Sequence, residues 1–547
     1  MSTEKVEKDD VEQHFKGPST MAAPAQRSSL RSVLIVATCT MAMIVNSSNS
    51  TSVSISLPTI GDDLGIPEAK LNWIVSAYPL SSGCLLVMFG RLADLYGRKR
   101  IFCAGSLWLA AFTLGCSFAN DEITLDILRG LQGIGAAATI PASIGILAHA
   151  FPPSRTRSIA FATFAAGAPL GGAFGTAIGG VLTQLTKRSW RSSFYLTAGV
   201  CAASFIIGLL VIDADLPSTE TDQRIDWIGV SLVTTGLVLI IFVLSEGEVA
   251  PQQWKTPYII ALLIVGVIFI AAFLYWQHNL EKQLDDPLIP KSKWNPPPLM
   301  RLSLWTRAKG RVAVMMVVAF LQWCCFLAWC YWSQLYYQNY KGYTPLLTVI
   351  RLLPMTVSGI ICNMIVAALV GHLPLVCFIA TGTALSGVAA LLFAVMDPDV
   401  TYWAFGFPAA ILAVVGADFV FAGGTLFIAK VSLPHEQSLA GAVFQTMTQL
   451  GTSVGVTVST VVFDRVLRQR SADMGVILDA SASGAPKAAQ LDSYRAAEWT
   501  NFAFGMLATL LALIFFRGVG IVGQKGKETD DQERTVTNPE EKIDSRA

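Results

Sequence analysis

Residues 90–100 read Gly90-Arg91-Leu92-Ala93-Asp94-Leu95-Tyr96-Gly97-Arg98-Lys99-Arg100. The run lies between two apolar stretches, 71–90 and 101–119. Gly97 permits a tight turn. Asp94 precedes the second apolar stretch, where a helix N-terminus favours a carboxylate. The basic cluster suits a short loop held on the cytoplasmic side of a bilayer. Whether the loop is an anchor alone or a working part is open on the physics of these residues.

Composition supports membrane spans on either side. Of the 547 residues, 53% are hydrophobic and 14% are charged. A soluble domain needs about 25% charged residues to wet its surface. Long unbroken apolar runs exclude a transmembrane barrel, whose strands alternate every second residue. About 20 apolar residues cross the hydrocarbon core as a helix. On that basis the spans are 32–57, 71–90, 101–119, 123–150, 157–182, 192–212, 227–245, 257–276, 311–336, 346–370, 375–396, 401–430, 438–463 and 500–521. The fold class is therefore an all-α polytopic membrane protein with 14 spans. The expected organisation is a disordered tail (1–31), a six-helix bundle (32–212), two extra central helices (213–276), a linker (277–310), a second six-helix bundle (311–521) and a disordered tail (522–547). Five prolines (Pro287, Pro290, Pro296, Pro297, Pro298) stiffen the linker.

Lys and Arg in the loops after spans 2, 4 and 8 put those loops and both termini in the cytoplasm. Net charge is +1, which gives no sign of a nucleic-acid partner. The 10 cysteines lie in apolar runs without a CxxC pair, so neither a disulfide framework nor a metal site is expected. No Walker A pattern is present, so ATP does not drive this chain. No catalytic constellation appears either, so an enzyme is not expected. No cofactor is expected.

Two further stretches carry chemistry. In span 4, Asp126, Arg129, Gln132, Gly133 and Gly135 share a helix. An arginine deep in a bilayer costs roughly 2.5–3.5 kcal/mol and needs a partner or a wet cavity. Asp126 and Arg129, three residues apart, can pair on one face; a snorkelling arginine is the alternative. In span 5, Gly167, Gly171, Gly175 and Gly179 recur every fourth residue around Pro169. Such small-residue ridges let helices approach closely, and the proline kinks its helix.

These stretches resemble the major facilitator superfamily. Gly90–Arg100 matches its signature G-x-L-x-D-x-x-G-R-[KR]-[KR]. The resemblance implies a loop that latches the two halves and helps gate them, a role it assigns to Gly90, Asp94, Gly97 and Arg98. Arg129–Ala137 is similar to the family's span-4 pattern R-x-x-Q-G-x-G-A-A, associated with proton coupling. Gly167–Gly180 resembles the antiporter motif of exporters, with Thr176 where that motif has proline. Leu57-Pro58, Asn72–Tyr78 and Asp226–Gly229 extend the likeness to the fourteen-span drug:proton antiporters of the fungal aminotriazole-resistance type. Many of those carry an acid in span 1 where this chain has Asn49, which cannot carry a proton.

The resemblance implies proton-coupled efflux of small organic compounds such as drugs, toxins or secondary metabolites. The coupling residues would be Arg129 with Asp126 or Asp418, the latter set mid-span. Gln132, Gln322, Trp323 and Tyr331 would line a substrate cavity; Tyr336 and Tyr337, at a span end, suit an interfacial belt. An importer or ion exporter on the same fold (siderophore, borate) and a non-transporting receptor or scaffold stay open. The expected partners are substrate, protons and lipid, and the expected state is a monomer in the cell membrane, with the vacuolar membrane as the alternative.

Overall fold

The computed structural model describes residues 28–520, except 68–69, 152–154, 216–221, 223, 248–249, 251, 286–291, 293–294, 370–371, 432–436 and 479–483. The tails expected to be disordered fall almost wholly outside the described residues. Fourteen long helices follow one another: α1 (Ser29–Leu64), α2 (Asn72–Tyr96), α3 (Arg98–Cys116), α4 (Glu122–Ala150), α5 (Arg155–Leu185), α6 (Arg191–Val211), α7 (Trp227–Glu246), α8 (Pro257–Asp285), α9 (Arg311–Leu335), α10 (Pro345–Leu369), α11 (Leu375–Ala394), α12 (Tyr402–Val431), α13 (Gln437–Asp473) and α14 (Lys487–Phe515). Thirteen of them are long and apolar enough to cross a membrane. The exception, α3, is 19 residues long and opens on Arg98-Lys99-Arg100. It is nonetheless packed within its bundle, between α4 and α6.

Local signals set the helix ends. Ser28 caps α1 by accepting the Arg31 N–H at 3.3 Å. Gly65 ends it in the left-handed region, φ +67°. Three edges differ most from the hydropathy reading. Helix α8 runs on to Asp285, α13 to Asp473, and α14 begins at Lys487. Charged residues at those ends lower the local hydropathy, but the fold satisfies them. Glu281 accepts the Leu302 N–H at 2.9 Å. Arg470 pairs with Asp492 at 3.2 Å, and Arg495 donates to the Met396 carbonyl at 2.6 Å.

The helix pairings repeat. In the first bundle α1 packs on α5, α2 on α4, α3 on α4, and α3 on α6. In the second, α9 packs on α13, α10 on α12, α11 on α12, and α11 on α14. Across the middle, α2 meets α13 and α5 meets α10, as an exchange of equivalents requires. The extra pair α7–α8 reaches the bundles through α7, which lies on α2 and α13.

The glycine ridge of α5 is one of these seams. Its glycines face α1 one turn at a time. A Cβ on Gly167 would stand 3.0 Å from the Thr40 carbonyl oxygen, on Gly171 2.7 Å from Ile44 Cα, on Gly175 2.7 Å from Ser48 Cα, and on Gly179 2.8 Å from Ser52 Cα. Thr176 folds its hydroxyl back onto the Gly172 carbonyl at 2.9 Å, and α5 continues through it. On α13, Gly455 presses on Cys324 of α9 in the equivalent place.

The two bundles share their largest core at one end, and α2 continues the contact with α13 to mid-depth through Leu80, Cys84 and Leu450. Away from the termini a single core joins Leu57, Ile74 and Trp190 to Trp329, Trp332 and Phe393. Gln338 donates to the Ile55 carbonyl there at 2.9 Å, and the Leu346 N–H donates to Gln184 at 3.1 Å. Towards the termini each bundle keeps its own cluster. One holds Ile35, Phe102 and Phe151; the other holds Met315, Phe444 and Phe516.

The α1–α5 seam predicts a contrast between two glycines in one helix. Gly175→Ala should destabilise the protein by about 1–3 kcal/mol, the cost of overpacking. Gly172→Ala, whose new Cβ meets its nearest atom at 3.9 Å, should leave stability unchanged or slightly raised. Thermal unfolding midpoints of the detergent-purified variants check this.

Candidate coupling and substrate site

Helix α4 starts on Asp121, which accepts the Thr124 N–H at 2.9 Å. The Thr124 side chain and this backbone bond together hold the Asp121 carboxyl below its ordinary range. Two turns further in, Arg129 is fully buried. Its depth follows from its glycines. Gly133 faces the backbone of α2 at Tyr78, where any side chain would collide. Gly135 faces α3, where a Cβ would stand 2.9 Å from the Leu109 backbone nitrogen. Close approach on both sides seals the guanidinium from lipid.

Inside the seal, Arg129 Nε donates to the Ile74 carbonyl at 2.9 Å. Nη1 donates to Gln132 Oε1 at 2.6 Å. Gln132 Nε2 donates onward to Asn49 Oδ1 at 3.0 Å and to Thr113 at 2.7 Å. The guanidinium carbon lies 4.8 Å from the centroid of the Tyr78 ring, and the Tyr78 hydroxyl donates to Asn46 at 2.7 Å. Helices α1, α2, α3 and α4 thus meet on one buried cation. Two donors, Arg129 Nη2 and Asn49 Nδ2, have no partner among the described residues.

The expected Asp126–Arg129 pair does not form. No ion pair joins them; Arg129 turns to Gln132 and to a backbone carbonyl of α2. The i,i+3 spacing is used in the other direction, to Gln132 at 2.6 Å, and the neighbouring helix supplies the second acceptor at 2.9 Å. Asp126 Oδ1 is buried without a partner. Glu122, a turn earlier, lies 3.8 Å from Lys70.

Asp418 belongs to the other bundle. It sits on α12 against Gly359 of α10, away from the Arg129 network. A third carboxylate escaped the hydropathy reading, which places 464–499 in a loop. Glu498 on α14 is 2% exposed. Asn501 donates to its Oε2 at 3.1 Å, and its Oε1 has no partner among the described residues. The motif Glu498-x-x-Asn501 at helical spacing was its only signal in the sequence.

The basic loop is built differently from expectation. Asp94 pairs with Arg98 at 3.0 Å instead of serving the N-terminus of α3. That terminus is taken by Asp215, which accepts the Lys99 N–H at 2.8 Å and the Arg100 N–H at 3.1 Å. Gly97 holds φ +108° directly over the Asp215 carboxylate, where a Cβ would collide. Arg98 lies along Gly145 of α4, and Gly90 faces Pro141 of the same helix.

The α9 candidates separate by face. Gln322 is fully buried and donates to Ser386 at 2.5 Å. Tyr331 is buried edge-on against Trp332, 4.9 Å between ring centroids. Trp323 is half-buried, tilted against Phe421 at 5.8 Å. Tyr336 and Tyr337 are not an interfacial belt. They lie in a π-helical turn, Tyr336–Tyr340, and are buried against Phe393.

The Arg129 network makes a stability prediction that separates its two acidic and amide neighbours. Gln132→Leu should cost about 1.5–3 kcal/mol, the value of a hydrogen bond to a charged group. Asp126→Asn should change stability far less, because no bond to Arg129 is lost. Unfolding midpoints of the purified proteins check both.

The sequence profile of the Major Facilitator Superfamily matches residues 39–244 and 218–456. MFS-type transporter 1 of Pyricularia oryzae is 28% identical over 541 residues, covering 91% of this chain and 85% of its own. The low affinity ammonium transporter of Saccharomyces cerevisiae is 29% identical, covering 75% and 77%. The aminotriazole resistance protein of the same yeast is 22% identical, covering 92% and 87%. The crystal structure of a bacterial homologue of the human lysosomal transporter Spinster, inward-facing and unoccupied, superposes with a TM-score of 0.58 at 13% identity, covering 90% and 98%. The chain is a multi-pass membrane protein of the major facilitator superfamily.

Proposed function

We propose that the protein is a secondary active transporter that exports small organic compounds in exchange for protons. The observation that carries this reading is the Arg129 network. A cation is held in the bilayer interior by neutral oxygens alone, with an unfilled donor. Such a centre responds to any change of charge near it, because low dielectric magnifies each interaction. Asp126 lies one turn away on the same helix, and Asn49 removes the span 1 acid that many relatives of this kind use. We assign the proton to Asp126, with Asp418 and Glu498 as further candidate carboxylates within the spans.

The apposition of the bundles away from the termini supports a rocking cycle about a midplane site. In that cycle the loop around Asp94, Gly97 and Arg98 gates the terminus side, which we place in the cytoplasm of a monomer in the cell membrane. The α5 ridge of Gly167, Gly171, Gly175 and Gly179, with Pro169, supplies the seam that the exporter reading requires. Gln132, Gln322, Trp323 and Tyr331 are the first cavity residues to vary. A relative named for aminotriazole resistance supports an organic substrate. A relative named for ammonium transport favours a second reading, a small cation carrier on the same fold.

Efflux of lipophilic cations and fungicides from pump-deficient yeast tests the proposal. Wild type, Arg129→Ala, Asp126→Asn, Asp418→Asn and Glu498→Gln are compared at equal surface expression, with and without a protonophore. The expected result is efflux abolished by the protonophore, by Arg129→Ala and by Asp126→Asn. Efflux indifferent to the protonophore overturns proton coupling. Uptake of radiolabelled methylammonium in place of organic efflux establishes the second reading.

A further inference from the structure

Away from the axis between the bundles, the second bundle carries a cavity of about 380 Å³. It lies where the π-helical turn after α9, the start of α10 and the α11–α12 connection come together. This is the end of the molecule away from the termini. Its volume falls within the range of small-molecule sites, about 300–1,000 Å³.

The wall is aromatic. Tyr337 and Tyr343 stand nearly parallel, 10° between planes and 6.0 Å between centroids. Tyr402 and Trp403 face them from α12, and Trp403 is 68% exposed at the rim. Two cations and one acid line the same space: Lys341, Arg351 and Asp397. Lys341 is occupied by the Pro398 carbonyl. Asp397 accepts the Asp399 N–H at 3.0 Å.

Arg351 is different. Its guanidinium carbon lies 4.4 Å from the Tyr402 ring centroid and 5.8 Å from that of Tyr343. The Tyr402 hydroxyl returns to the Arg351 backbone carbonyl at 2.5 Å, fixing ring and residue together. A guanidinium carbon placed near a ring centroid satisfies none of the five N–H donors by a hydrogen bond. None of those donors has a partner among the described residues. A planar fork held by a ring, in an aromatic cavity with a net positive lining, is the geometry that takes a carboxylate bidentately. The ring of such a ligand would lie against Tyr337, Tyr343 and Trp403.

We infer that this cavity is a second binding site, separate from the Arg129 centre, for an aromatic carboxylate. The net charge of the lining disfavours an organic cation, and the aromatic wall disfavours a hydrated inorganic anion. The site is reached from the side of the molecule opposite the termini.

Isothermal titration of the purified full-length protein with 2-naphthoate tests this. Comparison ligands are 2-naphthalenemethanol, which lacks the charge, and cyclohexanecarboxylate, which lacks the arene. The expected result is saturable one-site binding to the wild type, weakened about tenfold or more in Arg351→Gln. Arg351→Lys should restore only part of it, since a point charge lacks the fork. Both comparison ligands should bind about tenfold more weakly than naphthoate. Thr401→Trp fills the cavity from an exposed position on its rim, and with an unchanged unfolding midpoint it should abolish binding. Absence of saturable binding to the wild type overturns the proposal. So does naphthoate affinity unchanged from wild type in Arg351→Gln or in Thr401→Trp, or equal affinity of the wild type for the neutral alcohol. Since the readout is binding, it stands apart from the direction and coupling of transport.

Discussion

A charged guanidinium sealed within a helix bundle constrains everything around it. Arg129 is held by a backbone carbonyl of α2 and the amide of Gln132, with the Tyr78 ring beside it. Each contact demands that α4 stand against α2 and α3 at a fixed depth. Gly133 and Gly135 make that approach possible. Asn49 and Thr113 complete it by taking up the other end of Gln132. The first bundle is thus organised about a polar centre in its interior, where a bundle in water would be organised about an apolar one. Between helices in lipid there is little hydrophobic gain, so close backbone approach and polar contact must hold them together.

The same constraint explains how the bundle seams divide. The α1–α5 seam is built of small residues in register, turn for turn, and α9–α13 repeats it with Gly451 and Gly455 on Phe320 and Cys324. These seams lie within a bundle and are rigid. The contacts between bundles are of another kind. They are concentrated away from the termini, in Gln338 on Ile55 and Leu346 on Gln184 and in the shared aromatic core. The α2–α13 contact at Leu80, Cys84 and Leu450 continues that junction to mid-depth. The division between rigid seam and separable contact therefore lies along the boundary between the bundles.

Much of this was legible in the residues, and the limits have physical causes. Fourteen apolar runs stood out because a span is long and its composition unlike that of a loop. Arg129 stood out because an arginine in an apolar run is costly. The α5 ridge stood out because a four-residue glycine period has few other uses in a helix. What failed depended on neighbours distant in sequence. The Asp126–Arg129 pair was reasoned along one helix in one direction, and the acceptors are Gln132 on its other side and a carbonyl of a second helix. Asp94 was assigned to the N-terminus of α3, and Asp215, more than a hundred residues on, took that place. Glu498 was hidden because Arg495 and Glu498 lower the hydropathy of a stretch that tertiary contacts make helical. On α9 nearly every side chain is apolar or aromatic, so periodicity does not say which face meets the axis.

Asp215 also shows why the extra helices matter to the first bundle. The α6–α7 connection is bonded to the basic loop at both of its described ends. Asp215 caps α3, and Arg91 donates to the Asp222 carbonyl at 2.5 Å. Asp222 in turn pairs with Arg224 at 2.5 Å, and Arg224 donates to Asn295 of the linker at 2.8 Å. Asp226 caps α7 and holds Gln277 of α8 at 2.5 Å. Gln277 accepts the Met300 N–H at 3.1 Å, just ahead of α9. Two sets of polar bonds therefore tie this connection to the linker, one from the basic loop through Arg224 to Asn295 and one through Asp226 and Gln277 to Met300. Relative rotation of the bundles must either carry the α7–α8 pair with it or break bonds in these sets. The extra helices are thus part of the mechanical connection between the halves, and the basic loop is where that connection is fastened to the first.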